Sequence, residues 1–196
     1  MADEHDEVVE PLDEADIQPL DPETLAKYWS DLTRDQRFTA TMYERDDVLF
    51  ILRMHLLLET LIDELLDVRF PDSAPLLNRL TFAPKVTVLY ESTPTPDVMR
   101  NALTAANWVR TRFAHLPFNF ILSDEIWKKY KSMLHPTYIE IIEDSVANDY
   151  SGAPGNKAVA PDSCASRIRL GFLMTHKGMT TLLGMAHGHP DPVNFT

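Results

Sequence analysis

The stretch "NWVRTRFAHLPF", Asn107 to Phe118, gathers at one helix end the residue types that handle phosphate. Arginine is always charged, and its planar fork can hold two phosphate oxygens at once. Histidine, with an ordinary pKa of about 6.5, takes up and returns a proton near neutrality. Together they suit chemistry on a phosphate. A base must take a proton from the attacking group, and a fixed cation must stabilise the charge that builds on the phosphate oxygens. In that chemistry His115 is the general acid/base and Arg110 stabilises the phosphate, while Asn107 and Arg112 hold phosphate or orient the imidazole.

The same residues also suit a capped helix end. Met99, Leu103, Ala106, Arg110 and Phe113 recur at helical spacing, so Arg110 is expected among apolar neighbours. A guanidinium there needs a carboxylate, carbonyls or a bound anion. Glu59 is the candidate carboxylate. It lies four residues after His55 on another helix, and it either aims Arg110 or bonds His55. Pro117 disfavours helical geometry at Leu116, which ends the helix near His115. Five residues separate Arg110 from His115, about 140° round a helix, so the two converge only if the helix unwinds or the arginine wraps round. Arg112 and His115 are neighbours without such help. Spacing alone discriminates poorly, because Arg169 and His176 make a second Arg/His pair inside a continuous helical pattern.

The elements that position these residues are helical. The centre of the segment from about 41 to 68, "VLFILRMHLLLETLIDELLDV", is apolar over most of its circumference, with Arg53, Thr60, Asp63, Glu64 and Asp67 on one narrow strip. Such a helix belongs at the centre of a bundle. Asp21, Pro22 and Glu23 open a helix from about 22 to 38. "KVTVLY" has a β-like composition, but a lone strand among helices has no partner, so residues 82–92 are read as a short helix. Further helices are expected over about 97–115, from Ser123, over about 136–147, and up to about 186. The Gly/Pro-rich run "YSGAPGNKAVAPDS" is a loop. The expected class is all-α, with six to seven helices around the 41–68 helix. The expected domain spans residues 21–190, preceded by an unstructured acidic tail over 1–20.

Charge is unevenly distributed. The net charge is −12, yet residues 1–23 hold ten acids and no Lys or Arg, and the remaining chain is nearly balanced. Arg100, Arg110, Arg112, Lys128, Lys129 and Lys131 outnumber Asp124 and Glu125 over residues 100–131, which reads as a solvated basic face or an anion site. The acidic N-terminus lacks a basic n-region and an apolar h-region, and Cys164 is the single cysteine, so a reducing cytoplasm is expected. No run is long enough to span a membrane. Six glycines form no phosphate-cradling motif, and Cys164, His176, His187 and His189 match no zinc spacing. Neither metal nor cofactor is expected.

"NWVRTRFAH" resembles the "N-x-x-R-N-x-F-A-H" form of the Arg/His motif of the HEPN superfamily. The order "LLLETLIDELLDVRFP", "LTFAPKVTVLYES" and then the motif helix is similar to that of mannitol-repressor-like relatives. The likeness spans roughly residues 41–134 and rests on 107–115. It implies a small all-α bundle and, in catalytic members, a metal-independent endoribonuclease, often a toxin, with its site at a homodimer cleft. Non-catalytic members bind or regulate, so an antitoxin or regulatory protein partner is the alternative to RNA. Thr111 stands where many catalytic members carry Asn directly after the arginine.

Overall fold

The computed structural model describes residues 34–92, 97–114, 121–147 and 163–187. The expected acidic tail, the start of the 22–38 helix, His115 and the 148–162 loop lie outside the described residues. Among those described, eight helices and no strand occur: α1 Arg34–Met42, α2 Asp47–Arg69, α3 Ala74–Leu77, α4 Phe82–Ser92, α5 Asp97–Ala114, α6 Asp124–Met133, α7 Pro136–Ala147 and α8 Cys164–Ala186. The fold is an all-α bundle. None of the described helices is long and apolar enough to cross a membrane.

α2 is the central element, and α8 is its most extensive neighbour. The side chains of Phe50, Ile51, Met54, Leu57, Leu58, Leu61, Ile62, Leu65 and Leu66 are all buried, far more than one face of a helix. α8, α5 and α4 supply the cover. The helix begins later than expected, at Asp47 rather than near residue 41. The backbone turns at Glu44, whose N–H donates to Thr41 O, and Asp46 then caps the new helix by accepting from the Leu49 N–H at 2.9 Å. Residues 82–92 are helical, and tertiary cover decides it. Phe82, Lys85, Val86 and Leu89, at helical rather than alternating spacing, are the buried positions.

Arg169 joins α8 to the turn before α2. Its guanidinium is 3% exposed, donates to Asp47 Oδ1 at 2.7 Å and to the carbonyls of Glu44 and Arg45 at 2.6 and 2.9 Å, and lies over the Phe50 ring at 4.5 Å. α1 docks nearby through Phe38, which stacks on His176 of α8 with centroids 4.4 Å apart, and through Arg34 with Glu64 of α2 at 2.6 Å. Burial holds His176 down to about 4, Arg34 adds to the effect, and its Nε2 has no hydrogen-bond partner among the described residues. The ring is therefore neutral at pH 7.

α6 and α7 pack against the same stretch of α8. The Tyr138 hydroxyl sits 3.1 Å from Gly171 O and 2.8 Å from Thr175 Oγ1, and so is satisfied. Tyr130 is fully buried against Gly171, but its hydroxyl has no partner among the described residues. A Cβ added to Gly171 would stand 2.5 Å from Tyr130 Oη and 3.0 Å from Cε1.

Gly171→Ala is expected to destabilise by about 2 kcal/mol or more through overpacking against a rigid ring. Tyr130→Phe, which removes an unsatisfied buried hydroxyl, should be neutral or stabilising by up to about 1 kcal/mol. Because the two sites touch, the double variant should recover part of the alanine's cost. Denaturant titrations of the four proteins measure this, and strictly additive effects would count against the contact.

His176 also predicts a pH dependence. Its folded pKa lies below the unfolded value, so its contribution is complete above about pH 6.5 and is lost as pH falls through 6.5 towards 4. His55 of α2, held down in the same way, acts in the same sense. The urea midpoint should therefore decline between pH 7 and 5, above the range where most carboxylates titrate. His176→Phe keeps a ring on Phe38 without the proton site, and its decline should be shallower.

Candidate functional site

The motif helix α5 buries Ala102, Leu103, Ala105, Ala106, Val109 and Phe113. Leu103, Ala106 and Phe113 of the stripe expected from spacing are on that face, which is shifted towards Ala102, Ala105 and Val109, and Arg110 at its edge is exposed. Among the described residues Arg110 is held in no ion pair. The expected pairing with Glu59 does not form, for a clear reason. Glu59 is taken by Lys85 of α4, whose Nζ lies 3.2 Å from Glu59 Oε1 and 2.7 Å from Asp63 Oδ1.

Lys85 is 2% exposed, whereas the two carboxylates keep about a third of their side-chain surface in water. Burial disfavours the charge on Lys85, but its bonds to Asp63 and Glu59 outweigh that and hold its pKa above the ordinary value. Asp63 is pushed up by burial, with Lys85 opposing. Glu59 and Asp63 are one turn apart on α2, so a single cation can meet both. Lys85 is flanked by Phe82, Val86 and Leu89 on the buried face of α4. Those two signals are present in the sequence.

His55 does not bond Glu59 either. It is 4% exposed, its Nε2 lies 3.3 Å from Asn107 Oδ1, and its ring packs on Phe82 with centroids 4.3 Å apart and tilted by 36°. Burial holds its pKa down to about 4 against the opposing pull of Asn107 and Glu59, and nearby Arg110 adds a small downward push. A neutral histidine therefore meets the motif helix one turn before Arg110. Asn107 and Arg110 are three residues apart on α5, one bonded to His55 and the other close enough to influence its charge. Arg112 is about 200° round the helix from Arg110 and also exposed, so the two arginines do not converge. His115 lies outside the described residues.

The wider basic face is partly neutralised. Lys131 and Arg167 both bond Glu143, at 2.9 and 3.0 Å, and these bonds, that from Lys131 foremost, hold Glu143 below the ordinary carboxylate range. Arg100 lies over the Tyr90 ring at 5.5 Å. Arg110, Arg112, Lys128 and Lys129 are exposed and, among the described residues, in no ion pair.

The other sequence candidates are structural. Arg169 is buried and bonded to the α1–α2 turn, and His176 is stacked under α1. The Cys164 thiol donates to Asp124 Oδ1 at 2.7 Å, and burial and that carboxylate push it up to about 11, so it is no nucleophile at neutral pH. Among the described residues no group of three or more His, Cys, Asp or Glu side chains is placed to hold a metal ion. Comparison of the chain with protein-family models, curated proteins and solved structures finds no match.

The Lys85 cluster predicts an asymmetry. Lys85→Met removes the cation and leaves two carboxylates that can turn to water, at an expected cost of about 1–2 kcal/mol. The Glu59→Gln/Asp63→Asn double variant strands a buried ammonium and should cost about 3 kcal/mol or more. Equal losses in chemical denaturation would refute that division.

Proposed function

We propose that the α2–α5 junction is the core of an RNA-cleaving site of the HEPN type, acting without a metal or cofactor in the cytoplasm. What supports this is Arg110: an exposed guanidinium in no ion pair among the described residues, one turn beyond an asparagine held by a neutral histidine. A structural arginine looks different, as Arg169 does in the same chain. An arginine left to solvent at the end of a rigid helix keeps its fork for a phosphate.

In the reaction, His115 removes the proton from the ribose 2′-hydroxyl and the 2′-oxygen attacks the adjacent phosphorus. Arg110 stabilises the doubly charged oxygens of the pentacovalent state. The 5′-oxygen leaves with the proton that His115 returns as general acid, giving a 2′,3′-cyclic phosphate and a 5′-hydroxyl. Asn107 contributes amide donors to the phosphate. Arg112, on another face of α5, contributes to RNA binding along the exposed Lys128 and Lys129. Glu59 acts only through Lys85, by fixing α4 against α2.

A second reading has its own support. Leu49 and Leu56 of α2 are 45% and 51% exposed, two turns apart on one face, and apolar surface of this kind is commonly covered by protein. A homodimer would cover it under either reading, whereas an antitoxin or other regulatory partner in its place belongs to the second. In that reading the chain is a non-catalytic, mannitol-repressor-like interaction module.

Purified protein should cleave single-stranded RNA in EDTA, leaving cyclic phosphate ends. Arg110→Ala and His115→Ala should each lower kcat by about 100-fold or more, judged beside melting curves. Arg110→Lys should fail nearly as badly, since charge without the planar fork does not hold two oxygens. The exposed control Arg79→Ala should be fully active. A wild-type protein that cleaves no RNA, or a His115→Ala variant as active as wild type, leaves the interaction module as the function.

A further inference from the structure

The proposed chemistry employs two histidine-bearing segments unequally: His115 moves the proton, while His55, on α2, has been given no task. Its placement is specific. It is the polar side chain that α2 buries at the motif helix, and it is directed at one atom, Asn107 Oδ1, at 3.3 Å. Phe82 fixes the plane of the ring from the α4 side.

A primary amide has two chemically different ends, and which end meets the histidine decides what the other end offers. Oδ1 is an acceptor, so the histidine must present an N–H to it. A neutral imidazole carries only one, and here it belongs on Nε2. With Oδ1 engaged, the Nδ2 end, carrying two N–H groups, is directed away from His55. Asn107 is half-buried rather than sealed, and Arg110 lies one turn on along the same edge of α5. Two planar donor groups, one charged and one neutral, are then borne three residues apart on one helix, a spacing at which side chains are neighbours. That pairing suits the two non-bridging oxygens of a phosphodiester.

We propose that His55 is a positioning residue: by donating from Nε2 to Asn107 Oδ1 it fixes the asparagine amide so that Nδ2 and Arg110 together receive one phosphate of single-stranded RNA. This role depends on RNA being the ligand, as proposed above. The competing role for the same bond is a plain interhelical pin between α2 and α5, with Asn107 taking no part in binding. Burial keeps the ring neutral across the physiological range, so the tautomer is constant there.

The test uses the full chain and a 2′-O-methyl single-stranded oligonucleotide, which binds without being cleaved. His55→Phe keeps a flat ring on Phe82 but has no donor. His55→Gln places an amide N–H2 close to where Nε2 stood. His55→Phe and Asn107→Ala should each weaken binding by about 10-fold, and their double variant should be no weaker than either alone, as for two residues acting as a unit. His55→Gln should stay within about threefold of wild type, whereas a mere pin predicts that all three single variants bind as wild type does while they remain folded. If Arg110→Ala weakens binding but His55→Phe does not, the RNA site stands and the positioning role is overturned. If wild type does not bind, or Arg110→Ala binds as wild type does, RNA is not the ligand and the role falls with it. Nitrogen NMR of the imidazoles reads the tautomer directly and needs no variant. A neutral ring protonated at Nε2 at pH 7 is expected for His55, and an Nδ1–H or charged ring overturns the proposal even if His55→Phe fails to fold.

Discussion

The bond set of Arg169 is the constraint from which the rest of the bundle follows. A guanidinium with 3% of its surface in water is tolerable only if its donors are met. Asp47 Oδ1 and the carbonyls of Glu44 and Arg45 meet them, and the Phe50 ring lies against its face. Those two carbonyls are available only because the chain leaves helical geometry after Met42. The requirement to satisfy one buried cation thus coincides with the break between α1 and α2. It also coincides with Asp46 capping α2 and with α8 lying along that helix.

Fixing where α2 begins fixes its rotation, and a 23-residue helix carries that rotation a long way. The few polar side chains of an otherwise apolar helix then have determined neighbours. His55 comes to Asn107, and Glu59 and Asp63 come to Lys85. Each meeting is between residues many positions apart, and each joins α2 to a different helix. The polar contacts therefore specify which helices surround α2, while the leucines and isoleucines supply the burial.

Two arginines in one chain illustrate how little a residue type means without its surroundings. Arg169 and Arg110 each stand before a histidine at comparable spacing. The first has its donors taken up by the fold and has no capacity for a ligand. The second is exposed at a helix edge. The same contrast separates the histidines: His176 is stacked under α1, its Nε2 without a hydrogen-bond partner among the described residues, whereas His55 meets a side chain of the motif helix.

The sequence by itself determined the helical class, the central place of α2, the extent of α7 and the end of α8 to within a residue or two. These follow from periodicity, from Pro and Gly punctuation and from capping residues, all of which act over a few positions. It also singled out Asn107 and Arg110 as candidates for a site. What only the tertiary structure decided was pairing. Stripe counting puts Arg110 in the core because 100° per residue fixes relative angles but not which angle faces inward. The neighbours of α5 set the inward line through Val109 instead. Chemical need alone pairs Glu59 with Arg110, but Lys85, 26 residues away on α4, meets that need first. The late start of α2 has the same cause, since residue 169 lies far beyond any local window. Local patterns encode which elements form and which faces are apolar; the partner of each charged group is settled only when the elements meet.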